Sequence, residues 1–322
     1  MRYLAGIDIG GTKCAVTLGK EDAGSIQIWE KRRFPTPDDP QEAVNALVDT
    51  LRRLLEDHPE VQLSAAGVSC GSPLDSKRGL ILCPPNLPNW DHIDVVTPFS
   101  EAFGVPAAVQ NDANACALAE WLWGAGRGCE NMIFLTFGTG LGAGLILNGQ
   151  LYAGSCDMAG EAGHIRLEPD GPVGYGKAGS FEGFCSGGGI ARYGQAQILK
   201  HLQRGGQTAV LAGGKKPEEV TTADIGKAAQ AGDILALQIM EHTGRMLGKG
   251  ISVLLDLFNP QRIVIGSIFL RQEALLRPPM EEEIRREALS YTRESCRILP
   301  AGLGESLGDY AALSVAGNIG RK

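Results

Sequence analysis

Asp112 lies at a position in the sequence where an acidic side chain could take part in a reaction. It follows an apolar run at residues 107–110 and precedes a stretch of small residues, 115–123, that suits a helix. Ligands of α/β proteins bind at the carboxyl ends of the strands, so a carboxylate at such a junction could act as a general base. The position also suits a helix N-cap, for which Asn114 competes. The residues alone leave the catalytic and the capping interpretations open.

A second polar group combines Glu161 with His164. A carboxylate and an imidazole three residues apart can hydrogen-bond neighbouring hydroxyls of a polyol. Gly160 and Gly163 disfavour an ordinary helix around Glu161, and a further acid, Glu182, follows downstream. The pattern favours a polyol site over a purely structural histidine.

Two glycine-rich turns could bind phosphate groups. Gly10-Gly11-Thr12-Lys13 separates two apolar runs, and so does the segment 138–144. Because glycine has no Cβ, the N–H groups of such turns can approach phosphate oxygens. A dinucleotide fingerprint would have to open a helix, whereas a β pattern follows at residues 145–149. Either hairpin alone fits an ordinary tight turn, so the prediction of a polyphosphate site depends on the pair.

The hydrophobic pattern predicts the elements that must position these residues. Helices are expected after two N-caps, Asp39 and Asp233, the second helix running to Phe258. A small-residue helix at 308–316 suits close docking on another element. Buried strands are expected at residues 3–9, 14–18, 65–70, 107–110 and 262–266. Strands and helices alternate, which favours an α/β fold.

The two glycine hairpins also align with each other. Placing Asp8 on Thr136, an offset of 128 (136 − 8), places Gly10 on Gly138 and superimposes the flanking apolar runs. The order of strands and helices that follows recurs about once per half. We interpret the chain as a duplicated unit.

Composition argues against several other classes of protein. The 322 residues suggest two domains at about 150 residues each, and the 44 glycines show no collagen-like period. A net charge of −7 without a basic cluster argues against binding nucleic acid. The start lacks a signal peptide and the uncharged stretch 131–156 is broken by glycines, so we expect a cytoplasmic protein without a membrane span. The eight cysteines form no C-x-x-C pair, and neither H-E-x-x-H nor a Walker A motif occurs.

Five motifs and a terminal segment resemble the ROK family of sugar kinases, in order and across essentially the whole chain. They lie at residues 6–13, 86–90, 111–114, 136–144, 160–164 and 307–313. The resemblance implies the actin-like ATPase fold of the hexokinase and Hsp70 type, with two ribonuclease-H-like domains and a cleft between them. It implies a small domain, 1–112, completed by a terminal helix at about 305–322, and a larger domain, 113–304.

The resemblance also implies roles for individual residues. Asp112 would be the catalytic base, taking the proton of a hexose hydroxyl that attacks the γ-phosphate of ATP, with Mg²⁺ neutralising the phosphates. The hexose would be held by Gly71, Asn86, Asn111, Asp112, Glu161, His164 and Glu182. The nucleotide would be held by Asp8, Gly10, Gly11, Thr12, Lys13, Thr136, Gly138, Thr139, Gly140 and Gly266. After Gly266 the chain has Ser267 and Ile268 in place of the family's usual glycines, which would alter contacts to adenosine.

One segment departs strongly from the family pattern. The family usually binds a structural zinc through the histidine that matches His164 and through three cysteines. Here the corresponding run, 173–182, has no cysteine but keeps its glycines and Glu182. We therefore expect no zinc site, with Tyr175 and Phe181 packing where the metal would sit.

The resemblance leads us to expect an ATP-dependent kinase for the 6-hydroxyl of glucose or a related sugar. The alternatives are a sugar-sensing protein without kinase activity and a kinase for an N-acetylhexosamine, fructose or allose. Regulators in the family carry an N-terminal winged helix, whereas this chain reaches its first hairpin by residue 6. The expected partner is a small-molecule hexose, with no nucleic acid and no membrane, and the resemblance is compatible with a homodimer.

Overall fold

The computed structural model describes residues 1–321. Its strands are β1 (Arg2–Ile9), β2 (Lys13–Asp22), β3 (Ser25–Pro35), β4 (Leu63–Cys70), β5 (Leu74–Asp75), β6 (Leu80–Leu82), β7 (Asp91–Asp94), β8 (Ala107–Asn111), β9 (Met132–Phe137), β10 (Leu141–Leu147), β11 (Gln150–Leu151), β12 (Val173–Gly174), β13 (Lys177–Ala178), β14 (Arg262–Ile265) and β15 (Arg297–Pro300). Its α-helices are α1 (Pro40–Asp57), α2 (Thr97–Phe103), α3 (Asp112–Trp123), α4 (Phe181–Cys185), α5 (Gly187–Gln203), α6 (Thr222–Gln230), α7 (Ile234–Phe258), α8 (Ile268–Glu287), α9 (Ser290–Ser295) and α10 (Leu307–Asn318).

The two five-stranded sheets have the same strand order when the strands of each sheet are counted along the chain. The first runs β3-β2-β1-β4-β8 and the second runs β11-β10-β9-β14-β15. In the first sheet β1 is antiparallel to β2 and parallel to β4. In the second sheet β10 is antiparallel to β11, and β14 is parallel to β15. The repeated order agrees with the duplicated unit that the glycine hairpins predict.

Local sequence signals place several elements correctly. Asp39 caps α1 by accepting a hydrogen bond from Glu42 N at 2.9 Å, and Asp233 caps α7 by accepting one from Ala236 N at 2.8 Å. The uncharged stretch 131–156 contains β9 to β11, as its glycines predict. Within residues 1–321 no helix is long and apolar enough to cross a membrane. The hydrophobic pattern does not predict β3, because this edge strand is largely polar and half exposed.

The chain divides into two compact units. The first comprises Met1–Phe134, Gly144–Gly160 and the residues from Gly302 onward, and the second comprises Leu135–Ala143 and Glu161–Ala301. This division differs from the expected boundary after Asp112, because α3 packs within the first unit. Ser314 on α10, for example, donates a hydrogen bond to the Ala115 carbonyl at 2.7 Å. The domain boundary at 112/113 stays a prediction.

The terminal helix α10 docks closely on the first sheet, as its small residues predict. A Cβ built at Gly6 of β1 would lie 2.7 Å from Leu313 N, and one at Gly67 of β4 would overlap the α10 backbone. Glycine is therefore required where β1 and β4 meet this helix. The docking places Asp309 of α10 in ion pairs with Lys31 and Arg33 of β3.

Candidate functional site

The residue before Asp112 shows that Asp112 is not the N-cap of α3. Asn111, the last residue of β8, caps α3 by accepting a hydrogen bond from Asn114 N at 2.8 Å. The interpretations in which Asp112 or Asn114 is the N-cap are therefore wrong. The Asp112 carboxylate is left to accept a hydrogen bond from Ser69 Oγ at 3.0 Å. In the first sheet Ser69 of β4 lies directly beside Asp8 of β1.

Asp8, Ser69 and Asp112 line a cavity of about 350 Å³ in the first unit. Burial, and next the negative charge of Asp112, raise the pKa of Asp8 to about 6, against the opposing effect of Lys31 and Arg33. Burial also raises the pKa of Asp112, while the hydrogen bond from Ser69 opposes the increase. A raised carboxylate pKa suits a proton acceptor that works near neutral pH. Lys13 lines the same cavity.

The first glycine turn lies against the Asn86 segment. Gly10 N donates a hydrogen bond to Lys13 O at 3.1 Å, which closes the turn between β1 and β2. A Cβ at Gly11 would overlap the carbonyl oxygen of Asn86, and one at Gly71 would lie 3.0 Å from Asn86 Oδ1. The structure thus brings together two expected hexose residues, Gly71 and Asn86, with an expected phosphate residue, Gly11.

Glu161, His164 and Glu182 lie near one another in the second unit. Residues 162–164 form a short 3₁₀ turn in which His164 N donates to Glu161 O at 3.1 Å. Burial is the main cause of a raised Glu161 pKa, the negative charge of Glu182 adds to it, and His164 opposes it. Glu182 Oε2 also accepts a hydrogen bond from Leu141 N at 3.1 Å. The second glycine hairpin is therefore tied directly to this acidic group.

A cavity of about 720 Å³ in the second unit begins at the second glycine hairpin. Gly138 and Thr139 line it, together with Gly187 and Gly188 at the start of α5. Gly187 N donates a hydrogen bond to Gly138 O at 2.7 Å, so three glycines, Gly138, Gly187 and Gly188, form a part of the wall without Cβ atoms. The Thr136 hydroxyl, by contrast, accepts from Gly142 N at 2.9 Å inside the hairpin.

Some residues of this cavity were not among those expected. Ser267, at φ +51°, lines the cavity, whereas the preceding Gly266 donates its N–H to Leu135 O at 3.0 Å. The glycine run at 187–188 is a sequence signal that could have indicated this wall. Ser69 was also missed, although a serine next to the carboxyl end of a largely apolar strand is a recognisable signal.

The segment that replaces the family's zinc loop forms the β12–β13 hairpin. Phe181 is fully buried against Gly250 of α7. Tyr175 is 77% exposed, and its ring lies edge-on to His164 with 6.5 Å between ring centroids. Phe181 is therefore buried in the second unit, whereas Tyr175 lies at the surface beside His164. Across residues 1–321 no group of three or more His, Cys, Asp or Glu side chains is arranged to hold a metal ion.

Comparison with known proteins places the chain in a family. It is 31% identical over 317 residues to a glucokinase of Thermotoga maritima, covering 97% of this chain and 96% of that protein. It is 30% identical over 315 residues to the transcriptional regulator NagC of Escherichia coli, covering 94% of this chain and 75% of the regulator. A ROK family glucokinase from Streptomyces griseus, solved with glucose and AMPPNP, superimposes with a TM-score of 0.76 at 30% identity, covering 98% of this chain and 99% of that one. The ROK family pattern itself matches residues 4–318, so the chain belongs to the ROK family and has its actin-like ATPase fold.

Proposed function

We propose that this protein is an ATP-dependent sugar kinase that phosphorylates the 6-hydroxyl of glucose or a related hexose. Relatives named as glucokinases match the chain over nearly its whole length, and one of them was solved with glucose and a nucleotide analogue. Transcriptional regulators also match the chain, so similarity alone does not distinguish a kinase from a regulator, and the residues of the site have to do so.

The observation that carries the proposal is the free carboxylate of Asp112. Since Asn111 supplies the helix cap, Asp112 is available to act on a ligand, and Ser69 fixes one of its oxygens. As the hexose oxygen attacks the γ-phosphorus, its proton passes to Asp112 and the bond from the γ-phosphorus to the bridging oxygen breaks, releasing ADP.

The hexose would be held by side chains whose chemistry suits hydroxyl groups. Asn86 can donate and accept, while Glu161 and Glu182 accept and His164 can do either. Asn111 would contribute mainly its amide N–H₂, because its oxygen already caps α3. Gly71 lies against the Asn86 side chain, so a Cβ at this position would push on the Asn86 amide.

The nucleotide would be held mainly by backbone. Gly138, Thr139 and the glycines at 187–188 line the larger cavity, and a wall without Cβ atoms suits close approach of a polyanion. Gly140 and Gly266 would support this wall, and Thr136 would fix the hairpin through its internal hydrogen bond. In the first unit the turn 10–13 would contribute N–H groups and the Lys13 ammonium.

The donor set also fits Mg²⁺ bound together with a nucleotide. Magnesium takes oxygen ligands and is commonly held by one or two carboxylates plus substrate phosphates. Asp8 fits this role, because its raised pKa shows a buried carboxylate whose nearby cations do not offset burial and the charge of Asp112. When bound, the ion would neutralise charge on the phosphates.

The proposal is tested by an ADP-release assay with glucose, mannose, allose, fructose and N-acetylhexosamines. We expect ADP release with glucose or mannose, and a product that glucose-6-phosphate dehydrogenase oxidises when glucose is the acceptor. Sugar binding without any ADP release would support the sugar-sensing alternative. Release only with an N-acetylhexosamine, fructose or allose would keep the kinase and overturn the glucose assignment.

A further inference from the structure

A separate cavity of about 590 Å³ lies wholly in the second unit. It is bordered by the segment 168–172, by α5, and by one residue each from α4 and α7, Phe184 and His242. None of the residues assigned above to the hexose or the nucleotide lines it. A cavity of this volume is large enough for a small-molecule ligand.

One wall of this cavity is a stack of rings. Tyr193 and His242 are stacked with ring centroids 4.5 Å apart and an interplanar angle of 18°. Phe184 meets His242 edge-on at 5.6 Å. Burial lowers the pKa of His242, so the imidazole is neutral at pH 7. Burial also raises the pKa of the Tyr193 phenol. The wall is therefore an uncharged aromatic surface.

The remaining lining offers hydrogen bonds without a net charge. Two acids, Glu168 and Asp170, are balanced by two bases, Arg192 and Lys200. Glu168 is paired with Lys249 at 2.7 Å, and Arg192 donates to Val173 O at 2.6 Å. The Gln197 amide, half-exposed at the same cavity, can both donate and accept hydrogen bonds. The four charged side chains of the lining sum to zero, and Lys249, outside the lining, adds one positive charge through its ion pair with Glu168.

We propose that this cavity is a second sugar site, which binds a neutral pyranose separate from the acceptor hexose. The apolar C–H face of the ring would lie on Tyr193, and its hydroxyls would bond to Gln197 and Asp170. An uncharged hydroxylated ring is the ligand class that matches an aromatic wall and balanced charges. The occupant would contact Phe184, which shares the five-residue helix α4 with Glu182.

The test uses ¹⁹F NMR on protein labelled with 3-fluorotyrosine and titrated with glucose. The chain has six tyrosines. Tyr193→Phe identifies the resonance of the cavity, and Tyr175→Phe identifies a reporter beside His164. We expect the Tyr193 resonance to shift saturably. Gln197→Leu should weaken that response about tenfold while leaving the Tyr175 response unchanged.

The control is Asn86→Ala, which the proposed function expects to weaken acceptor binding. The Tyr193 response should survive this substitution. No Tyr193 shift at glucose concentrations that saturate Tyr175 would overturn the second site. So would a Tyr193 shift that disappears in Asn86→Ala, because it would then only report the acceptor site. The choice of glucose rests on the proposed function, but the readout does not require phosphoryl transfer. A shift of Tyr193 alone would therefore support the second site even if the kinase assay failed.

Discussion

Ser69 Oγ donates a hydrogen bond to Asp112 Oδ1 at 3.0 Å. The bond joins the end of β4 to the first residue of α3, and it reaches a carboxylate that burial would otherwise keep protonated to higher pH. The hydrogen bond favours the charged form of Asp112, so in the proposed mechanism Ser69 would be a positioning residue that acts through this carboxylate.

Ser69→Ala should slow the enzyme and change its pH dependence. Without the hydroxyl, the pKa of Asp112 rises further, so the acidic limb of the kcat/KM profile should move to higher pH. We expect kcat to fall about tenfold, the effect of losing one hydrogen bond to a charged group. A profile from pH 5 to 9 checks this, and an unmoved acidic limb would show that Ser69 is only structural.

Asp8→Asn should stabilise the nucleotide-free protein while impairing catalysis. Burial raises the pKa of Asp8 from 3.8 to about 6, so the folded state holds a proton that the unfolded state loses. The stability of the native protein should therefore fall as pH rises from about 4 to about 6. Above that range the variant should be more stable by at most about 3 kcal/mol. Thermal melts of both proteins across this pH range check whether the substitution stabilises the fold. An Asp8→Asn variant that is less stable than the native protein at pH 7.5 would contradict the prediction.

Glu120 should be a strong determinant of stability without touching substrate. This fully buried carboxylate accepts hydrogen bonds from Ala125 N at 2.7 Å, Gly302 N at 2.9 Å and Leu303 N at 2.9 Å. Glu120→Ala leaves these donors without a partner and should cost about 3–5 kcal/mol in denaturant unfolding. Glu56→Ala, on the exposed side of α1, is the control and should change stability by less than about 0.5 kcal/mol. Equal effects would refute the role of Glu120.

The segment 173–182 should hold His164 without zinc. Lys177 Nζ donates to His164 O at 2.7 Å, and Arg166 donates to Ala178 O at 2.7 Å, so hydrogen bonds cross-link this segment. Elemental analysis of the purified protein should find zinc far below one per chain. Activity should return fully after chelation when Mg²⁺ alone is restored. One tightly bound zinc per chain would contradict the prediction.

Contacts between residues close together in sequence were predictable, and contacts between residues far apart in sequence were not. Asp39 and Asp233 each accept a hydrogen bond from a backbone N–H three residues further along the chain, so the local pattern is sufficient to predict these caps. The cap of α3 required choosing among Asn111, Asp112 and Asn114, and the choice depends on how the end of β8 turns. Ser69 lies 43 residues from Asp112 in sequence, so no local pattern joins them.

The same limit applies to cavities and domains. The glycines at 187–188 and Ser267 meet only after α5 and β14 fold beside the second hairpin. The resemblance to a family supplied the residue roles that spacing alone left open, such as Asp112 as base and not as cap. The packing of α3 on α10 likewise joins residues far apart in sequence, the Ala115 carbonyl and Ser314.

In the proposed mechanism Asp112 accepts the proton of the hexose hydroxyl, and the negative charge of this carboxylate is not needed to hold the sugar. Asp112→Asn keeps the size of the side chain and removes its basicity. Glucose binding by calorimetry and ADP release should be measured on the same preparation, with Asp49→Asn on the surface of α1 as the matched control. We predict a glucose Kd within about threefold of the native value and an ADP-release rate lower by about 10²–10⁴-fold. ADP release near the native rate in Asp112→Asn would contradict the role of Asp112 as the proton acceptor.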